Sequence, residues 1–439
     1  MSNRKQKHGR SSSRGIGLTR TTLAVALFAA ASGALATDGY FSHGYGMKAK
    51  GRGGASIAVA DDAFGGANNP ATMAFAGDRL DLGIDAFSPR RKSTRSGLGP
   101  GLDGTSASGR NWFGIPEFGY NRRMSDQLAL GVTVYGNGGM NTDYPGGGFN
   151  CGQGEANMLC GVGRLGVDLS QLIVAPTVAY AFAPNQSIGI APLFAYQRFA
   201  ANGLQAFAGT PGLSSAPDKV TNNGHDSSTG GGVRIGYYAQ INDALAIGAT
   251  YASKISMSRF SDYAGLFAGG GKFDIPSNYG VGIAWKAAPA VKLAADYERI
   301  NYSDVASVSN PSLIPAQLGA GNGPGFGWRD INVWKLGLEW ASSDAWTWRA
   351  GYNRSDNPIR PSDVTFNILA PGVITDHLTL GFTHTFSSGG ELTMAYMHAF
   401  DHSQTGASIL PVFMGGAPAG TEKISMHEDS VGIQYEWKL

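Results

Sequence analysis

The last nine residues, Val431-Gly432-Ile433-Gln434-Tyr435-Glu436-Trp437-Lys438-Leu439, decide how the rest of the chain is read. Their odd-numbered members are apolar and their even-numbered members small, polar or charged, a period of two that belongs to a strand and not to a helix. The same division separates Val291, Leu293 and Tyr297 from Lys292, Asp296 and Glu298, and Trp334, Leu336 and Leu338 from Lys335 and Glu339. Two environments satisfy such strands. A water-soluble sheet buries the apolar face, whereas a barrel in an outer membrane turns it to lipid and keeps charge inside. Trp285, Trp340, Trp346, Trp348, Tyr352 and Trp437 all fall near predicted strand ends. They favour the barrel, because aromatic girdles mark its two membrane–water interfaces.

Working back from this end, alternation recurs in segments spanning 79–87, 112–121, 127–135, 171–183, 186–199, 232–241, 244–253, 278–285, 291–302, 332–341, 345–353, 377–386, 391–400 and 431–439. The connections alternate too, two to five residues and then 23 to 35. The pattern predicts an all-β chain, a transmembrane up-and-down antiparallel β-barrel of 14 strands. Tight turns would lie on the periplasmic rim and long loops outside. An even count puts both chain ends in the periplasm. Pro116, Pro176 and Pro192 fall inside predicted strands and cannot donate to a ladder, so the ladder is expected to break or shift there.

The formal charge of +2 is no argument for nucleic acid as a partner. Residues 1–36 hold six of the 34 basic residues (Arg4, Lys5, Lys7, Arg10, Arg14 and Arg20) and none of the 32 acidic ones, leaving 28 positive against 32 negative charges. That stretch has a basic beginning, an apolar run from Leu23 to Ala31 and an Ala34-Leu35-Ala36 cleavage site. It reads as a secretory signal peptide. Residues 37–77 do not alternate. They are rich in Gly and Ala, carry Asp61-Asp62 and Asn69-Pro70-Ala71, and precede a barrel assigned to 78–439. Small residues can pack inside a barrel whose inward polar groups satisfy their backbone, which makes this segment a candidate luminal hatch, or plug. A periplasmic tail is the other reading. Cys151 and Cys160, an even pair in an exported chain, are expected to form a disulfide. A metal or redox site would need more ligands than their loop provides.

The run from Gly53-Gly54-Ala55 through Ala60-Asp61-Asp62 to Asn69-Pro70-Ala71 resembles the N-terminal hatch of the FadL/TodX family, outer-membrane channels for long-chain fatty acids and other hydrophobic compounds. Residues 130–139, 196–199, 273–276, 346–352, the Asn357-Pro358 turn and Tyr396-Met397-His398 are similar to the family as well. The resemblance implies a monomeric fourteen-stranded barrel with a hatch. It also implies a route: capture among outer loops, passage to an apolar pocket, and sideways release into the membrane at a kinked third strand. The expected partners are a hydrophobic small molecule, outer-membrane lipid and the barrel assembly machinery, with no cofactor and no metal. Thr72, where many members have Gly or an aliphatic residue, and a terminal Leu439 in place of Phe are departures.

The residues themselves supply candidates for that route. The third predicted strand runs into Gly136, Gly138 and Gly139, and glycine within a strand marks a bulge or bend. These glycines either form a lateral opening or simply begin the long loop. For capture, Leu165, Leu169 and Leu172, or Leu204 and Phe207, form a short amphipathic element; an earlier start of the fourth strand would absorb the first group. Phe199 lies beside them, and Arg198 is either a cation for an acidic substrate or a solvated loop arginine. Catalytic readings find little: His398 and His402 straddle a strand and a loop, His225-Asp226-Ser227 lacks a nucleophile elbow, and Gly269-Gly270-Gly271-Lys272 is not followed by Ser or Thr and a helix. The remaining alternatives are an adhesin-like barrel and a membrane lipid hydrolase.

Overall fold

In a computed structural model, residues 38–152 and 154–439 are described; the signal peptide expected at 1–36, and Thr37 after it, lie outside them. Fourteen strands form a closed ring: β1 (Arg79–Ser96), β2 (Phe113–Arg123), β3 (Leu128–Asn141), β4 (Gly166–Ala183), β5 (Gln186–Asn202), β6 (Asp226–Asn242) and β7 (Leu245–Ala252). The ring continues through β8 (Asn278–Ala288), β9 (Val291–Ile300), β10 (Ile331–Ala341), β11 (Trp346–Ser355), β12 (Asp376–Thr385), β13 (Glu391–Ser408) and β14 (Ala419–Lys438). Each strand pairs antiparallel with its neighbours in sequence, and β14 closes on β1 from Arg79↔Lys438 to Ser96↔Thr421. The amide of the terminal Leu439 donates to Asp78 O, 3.1 Å.

The sidedness follows from the alternation. On β14, Gln434 and Glu436 are buried in the lumen while Val431, Ile433 and Trp437 are exposed on the outer face. Trp285, Trp334, Trp340, Trp346 and Trp348 are exposed there too. Lipid replaces water around that face, and exposure of large apolar groups becomes favourable.

The periplasmic ends of the strands fall within a few residues of the prediction, as do the extracellular ends of β2, β5 and β7 to β12, whereas the other strands run on further outward. β1 extends to Ser96 instead of Phe87, β13 to Ser408 instead of Phe400, and β14 begins at Ala419 instead of Val431. Above the lipid the outer face no longer has to be apolar: Arg90, Lys92 and Lys423 occupy it, exposed. Hydrogen-bonded pairing continues after the hydrophobic period has stopped.

The three prolines mark interruptions. Pro176 and Pro192 face each other across β4 and β5; the recorded pairing stops at Val174↔Phe194 and resumes in the same register at Val178↔Ile190. Neither proline has an N–H to offer its partner. Pro116 sits two residues beyond Phe118↔Val134, the last pair between β2 and β3.

Candidate functional site

Residues 38–77 run through the lumen. A single-turn helix, α1 (Met47–Gly51), carries Lys48 and Lys50, and Arg52 follows it. All three cations are buried and paired with the wall. Lys48 Nζ lies 2.7 Å from Glu391 on β13 and 2.8 Å from Glu436 on β14; Lys50 Nζ lies 2.9 Å from Asp85 on β1 and 2.8 Å from Glu117 on β2. Arg52 bridges Glu339 on β10, 2.9 Å, and Asp61, 2.5 Å. Backbone amides are met in the same way. Asp296 accepts from Ser56 N and Ile57 N, Asp81 from Ala63 N, and Gln434 Oε1 from Met47 N, at 2.7 to 3.0 Å. A chain with no sheet or long helix of its own must find such partners inside a barrel.

The quoted acidic pair and Asn-Pro turn have separate parts. Asp61 holds Arg52, and its carbonyl accepts from Lys48 Nζ, 2.9 Å. Asp62 accepts from Phe64 N, 3.0 Å. Asn69 caps a 3-10 turn, Pro70–Ala74, by accepting from Ala71 N, and its Nδ2 donates to Ile57 O and Tyr237 O. Ala71 O accepts from Ser187 Oγ on β5, 2.8 Å. Thr72, the residue at variance with the family pattern, donates its hydroxyl to Asn69 O, 2.8 Å, and so braces the same turn.

Burial and the neighbouring Asp61 push the Asp62 carboxyl up to about 7. A raised carboxyl binds its proton more tightly in the folded state, so the stability it contributes is complete below pH 4 and is lost as the pH rises through about 7. Asp62→Asn, which stays neutral, should therefore gain on the native protein between about pH 4 and 7, on the order of 1–4 kcal/mol. Heat-modifiable migration across that range tests it; parallel pH curves for the two proteins would count against it.

Among the described residues the wall is incomplete between β2 and β3. β2 pairs with β1 up to Phe113↔Phe87, and β3 pairs with β4 up to Asn141↔Asp168, yet β2 and β3 pair only from Arg123↔Ala129 to Phe118↔Val134. Above that last pair, Phe113–Glu117 and residues 135–141 have no ladder between them among the described residues. The two sides rejoin higher up, where Gly109 N donates to Asp143 O, 2.8 Å, and Arg91 donates to Asn141 O. Gly136, Gly138 and Gly139 are all within β3, not in the loop, and the β3–β4 register shifts between Gly136 and Gly138. The luminal chain lies against this stretch: Phe41 pairs with Gly138, and Asn137 O accepts from Ser42 N, 3.3 Å.

At the extracellular end five long loops line an apolar cavity. Phe199, at the inward top of β5, lines it with Leu204, Phe207, Phe267, Phe326 and Phe366. Phe207 belongs to a helical turn, Gln205–Gly209, and is buried. Leu169 and Leu172 belong instead to β4, which begins at Gly166. Arg198 does not reach the cavity. Alternation along β5 turns it to the outer face, where its guanidinium lies 2.9 Å from His225 Nε2, itself 3.1 Å from Asp168. Its strand continues to Asn202, which fixes the phase that the sequence alone leaves ambiguous.

Rings connect this cavity to the unpaired stretch of β3. Phe199 contacts Phe267 at 4.6 Å between centroids, Phe267 contacts Phe273 at 4.9 Å, Phe273 contacts Tyr40 at 6.3 Å and Tyr40 contacts Phe41 at 5.3 Å. The disulfide Cys151–Cys160, Cα atoms 5.7 Å apart, closes part of the β3–β4 loop above. His398 bonds Asp429, 2.9 Å, and His402 lies near Thr375. The luminal cations, the wall carboxylates and the loop rings Phe366 and Phe413 are functional candidates that the sequence reading missed.

The sequence matches, over residues 22–409, the model of a family described as outer membrane protein transport protein (OMPP1/FadL/TodX). No curated protein matches it. Among solved structures it resembles the Pseudomonas putida toluene transporter TodX, with TM-score 0.67 and 17% identity over 90% of this chain and 99% of that one. A Pseudomonas aeruginosa FadL homologue gives 0.65 and 15%, with the same coverages. The Ralstonia pickettii toluene transporter TbuX gives 0.60 and 17%, again over 90% and 99%. At such identities the structures establish a common fold, and the family match establishes the membership: the chain belongs to the OMPP1/FadL/TodX family of outer-membrane transporters for hydrophobic compounds.

Proposed function

We propose that this protein takes up hydrophobic compounds by capturing them among the outer loops and releasing them sideways into the membrane between β2 and β3, past a luminal segment that stays in place as a plug. The observation that carries this reading is the ladder that ends at Phe118↔Val134 although both strands continue. In lipid an interruption of pairing is tolerated only where the backbone finds other partners, and here β3 finds them in Phe41 and Ser42. Arg198, on the outer face, belongs to the surface and not to the pocket; Phe199, Leu204 and Phe207 are the binding residues. An apolar solute moving from Phe267 along Phe273, Tyr40 and Phe41 would stay out of water until it met lipid. The alternative exit, downward to the periplasm, would require the buried pairs of Lys48, Lys50 and Arg52 to part, at about 3–5 kcal/mol for each uncompensated charge.

The two exits are separated by tethering the plug. A Cβ built on Gly51 lies 3.5 Å from Arg349 Cβ, within the range a disulfide spans. Oxidised Gly51→Cys/Arg349→Cys barrel in vesicles should deliver a hydrophobic probe at the rate of the reduced form. Uptake that stops on oxidation and returns on reduction would show that the segment must leave, and would sink lateral release.

A further inference from the structure

A second apolar cavity lies outside the first. Leu313, Ile314 and Val412 line it, and it shares Phe207, Leu318, Pro324 and Phe366 with the inner cavity. Three rings from three different loops meet at this partition. Phe207 is edge-on to Phe366 and to Phe413, with centroids 5.7 and 5.1 Å apart, and Phe366 stacks with Phe413 at 6.0 Å. Phe413 lines the outer cavity and not the inner one, Phe207 and Phe366 line both, and Phe207 and Phe413 also border a third pocket beside the disulfide. Movement from one cavity to the other requires these contacts to open.

The chemistry along the passage is uniform. None of the residues lining the two cavities carries a charge. Their two serines are engaged: Ser307 donates to Lys272 O, 2.6 Å, and Ser312 to Asp363, 2.8 Å. A carboxylate pushed through would lose its water and find no donor, a cost borne by few buried charges. An uncharged ring or chain would instead replace the ring contacts it breaks.

From this we infer that Phe207, Phe366 and Phe413 form an aromatic gate between an outer receiving cavity and the inner pocket, and that the gate passes uncharged hydrocarbons while stopping ionised acids. The inference rests on the proposed uptake function for its direction of traffic, but it can fail separately. Two probes of one skeleton test it, naphthalene and 2-naphthoate, mixed rapidly with the purified full-length barrel and followed by their own fluorescence. Naphthalene should bind in two phases, the outer cavity and then the inner; 2-naphthoate should show no second phase. Phe366→Leu and Phe413→Leu keep the apolar lining but remove the ring contacts, and each should speed the second phase by about tenfold. A second phase of unchanged rate in both variants would overturn the gate. Full entry of 2-naphthoate into the unaltered protein would overturn the charge selection, and it needs no variant to fold. A Gly138→Val barrel that binds naphthalene in both phases but cannot release it leaves the gate standing, whereas a barrel that binds both phases normally yet releases downward would refute only the proposed exit.

Discussion

Lys50→Met should open the barrel to small hydrophilic solutes. Lys50 is 2% exposed, and it is held between Asp85 and Glu117 on the first two strands. A methionine fills much the same volume but leaves two buried carboxylates facing each other without a cation. Removing one partner of a buried pair typically costs about 3–5 kcal/mol. That energy is charged to the contact between α1 and the wall, since the strand ladders on either side remain. The segment should loosen around residues 46–52, and conductance in planar bilayers together with faster amide exchange there should report it. Lys50→Met/Asp85→Asn/Glu117→Gln removes the orphaned charges and should restore the closed state. A single variant that stays silent in bilayers and protected from exchange would mean that Lys48, Arg52 and the amide contacts of Asp296 and Asp81 suffice to hold the segment.

Gly138→Val should cut delivery to the membrane while the barrel still assembles. A Cβ at this position would lie 1.8 Å from Tyr40 O and 2.9 Å from Tyr40 C, both backbone atoms, closer than real Cβ contacts come. Either the luminal chain is pushed from β3, disrupting the Phe273–Tyr40–Phe41 series of rings, or β3 straightens toward β2. Both outcomes destroy the proposed exit. Heat-modifiable migration should remain normal because the seam and the other ladders are untouched, and uptake in cells should fall by at least about tenfold, the factor expected from a clash costing more than about 1.4 kcal/mol. Normal uptake by a correctly folded variant would place the exit elsewhere.

Much of the fold was legible because one physical rule, lipid outside and charge inside, acts on every second residue through the membrane. Glu436 and Trp437 could be assigned to opposite faces without any coordinates. The rule ends where the lipid ends, which is why β1, β13 and β14 proved longer than their alternation. Fourteen strands and their order needed only the rhythm of short and long connections. The site was less legible. Leu204 and Phe207 stood out as a local apolar pair and line the cavity, but Phe366 and Phe413 sit in long loops with no period to betray them. Arg198 was ambiguous for want of three more residues of strand. Lys48, Lys50 and Arg52 look in sequence like any exposed basic run. The partners of Lys48, Glu391 and Glu436, are more than three hundred residues away, and no local pattern joins them.

The placement of those cations also bears on how the ring is held shut. Lys48 reaches Glu436 on the last strand, and Lys50 reaches Asp85 on the first, so α1 spans the seam where β14 meets β1. The luminal segment is thus a second fastening beside the β14–β1 ladder, a pin through the clasp: parting the first and last strands would also strip two buried cations of their carboxylates, at about 3–5 kcal/mol for each uncompensated charge.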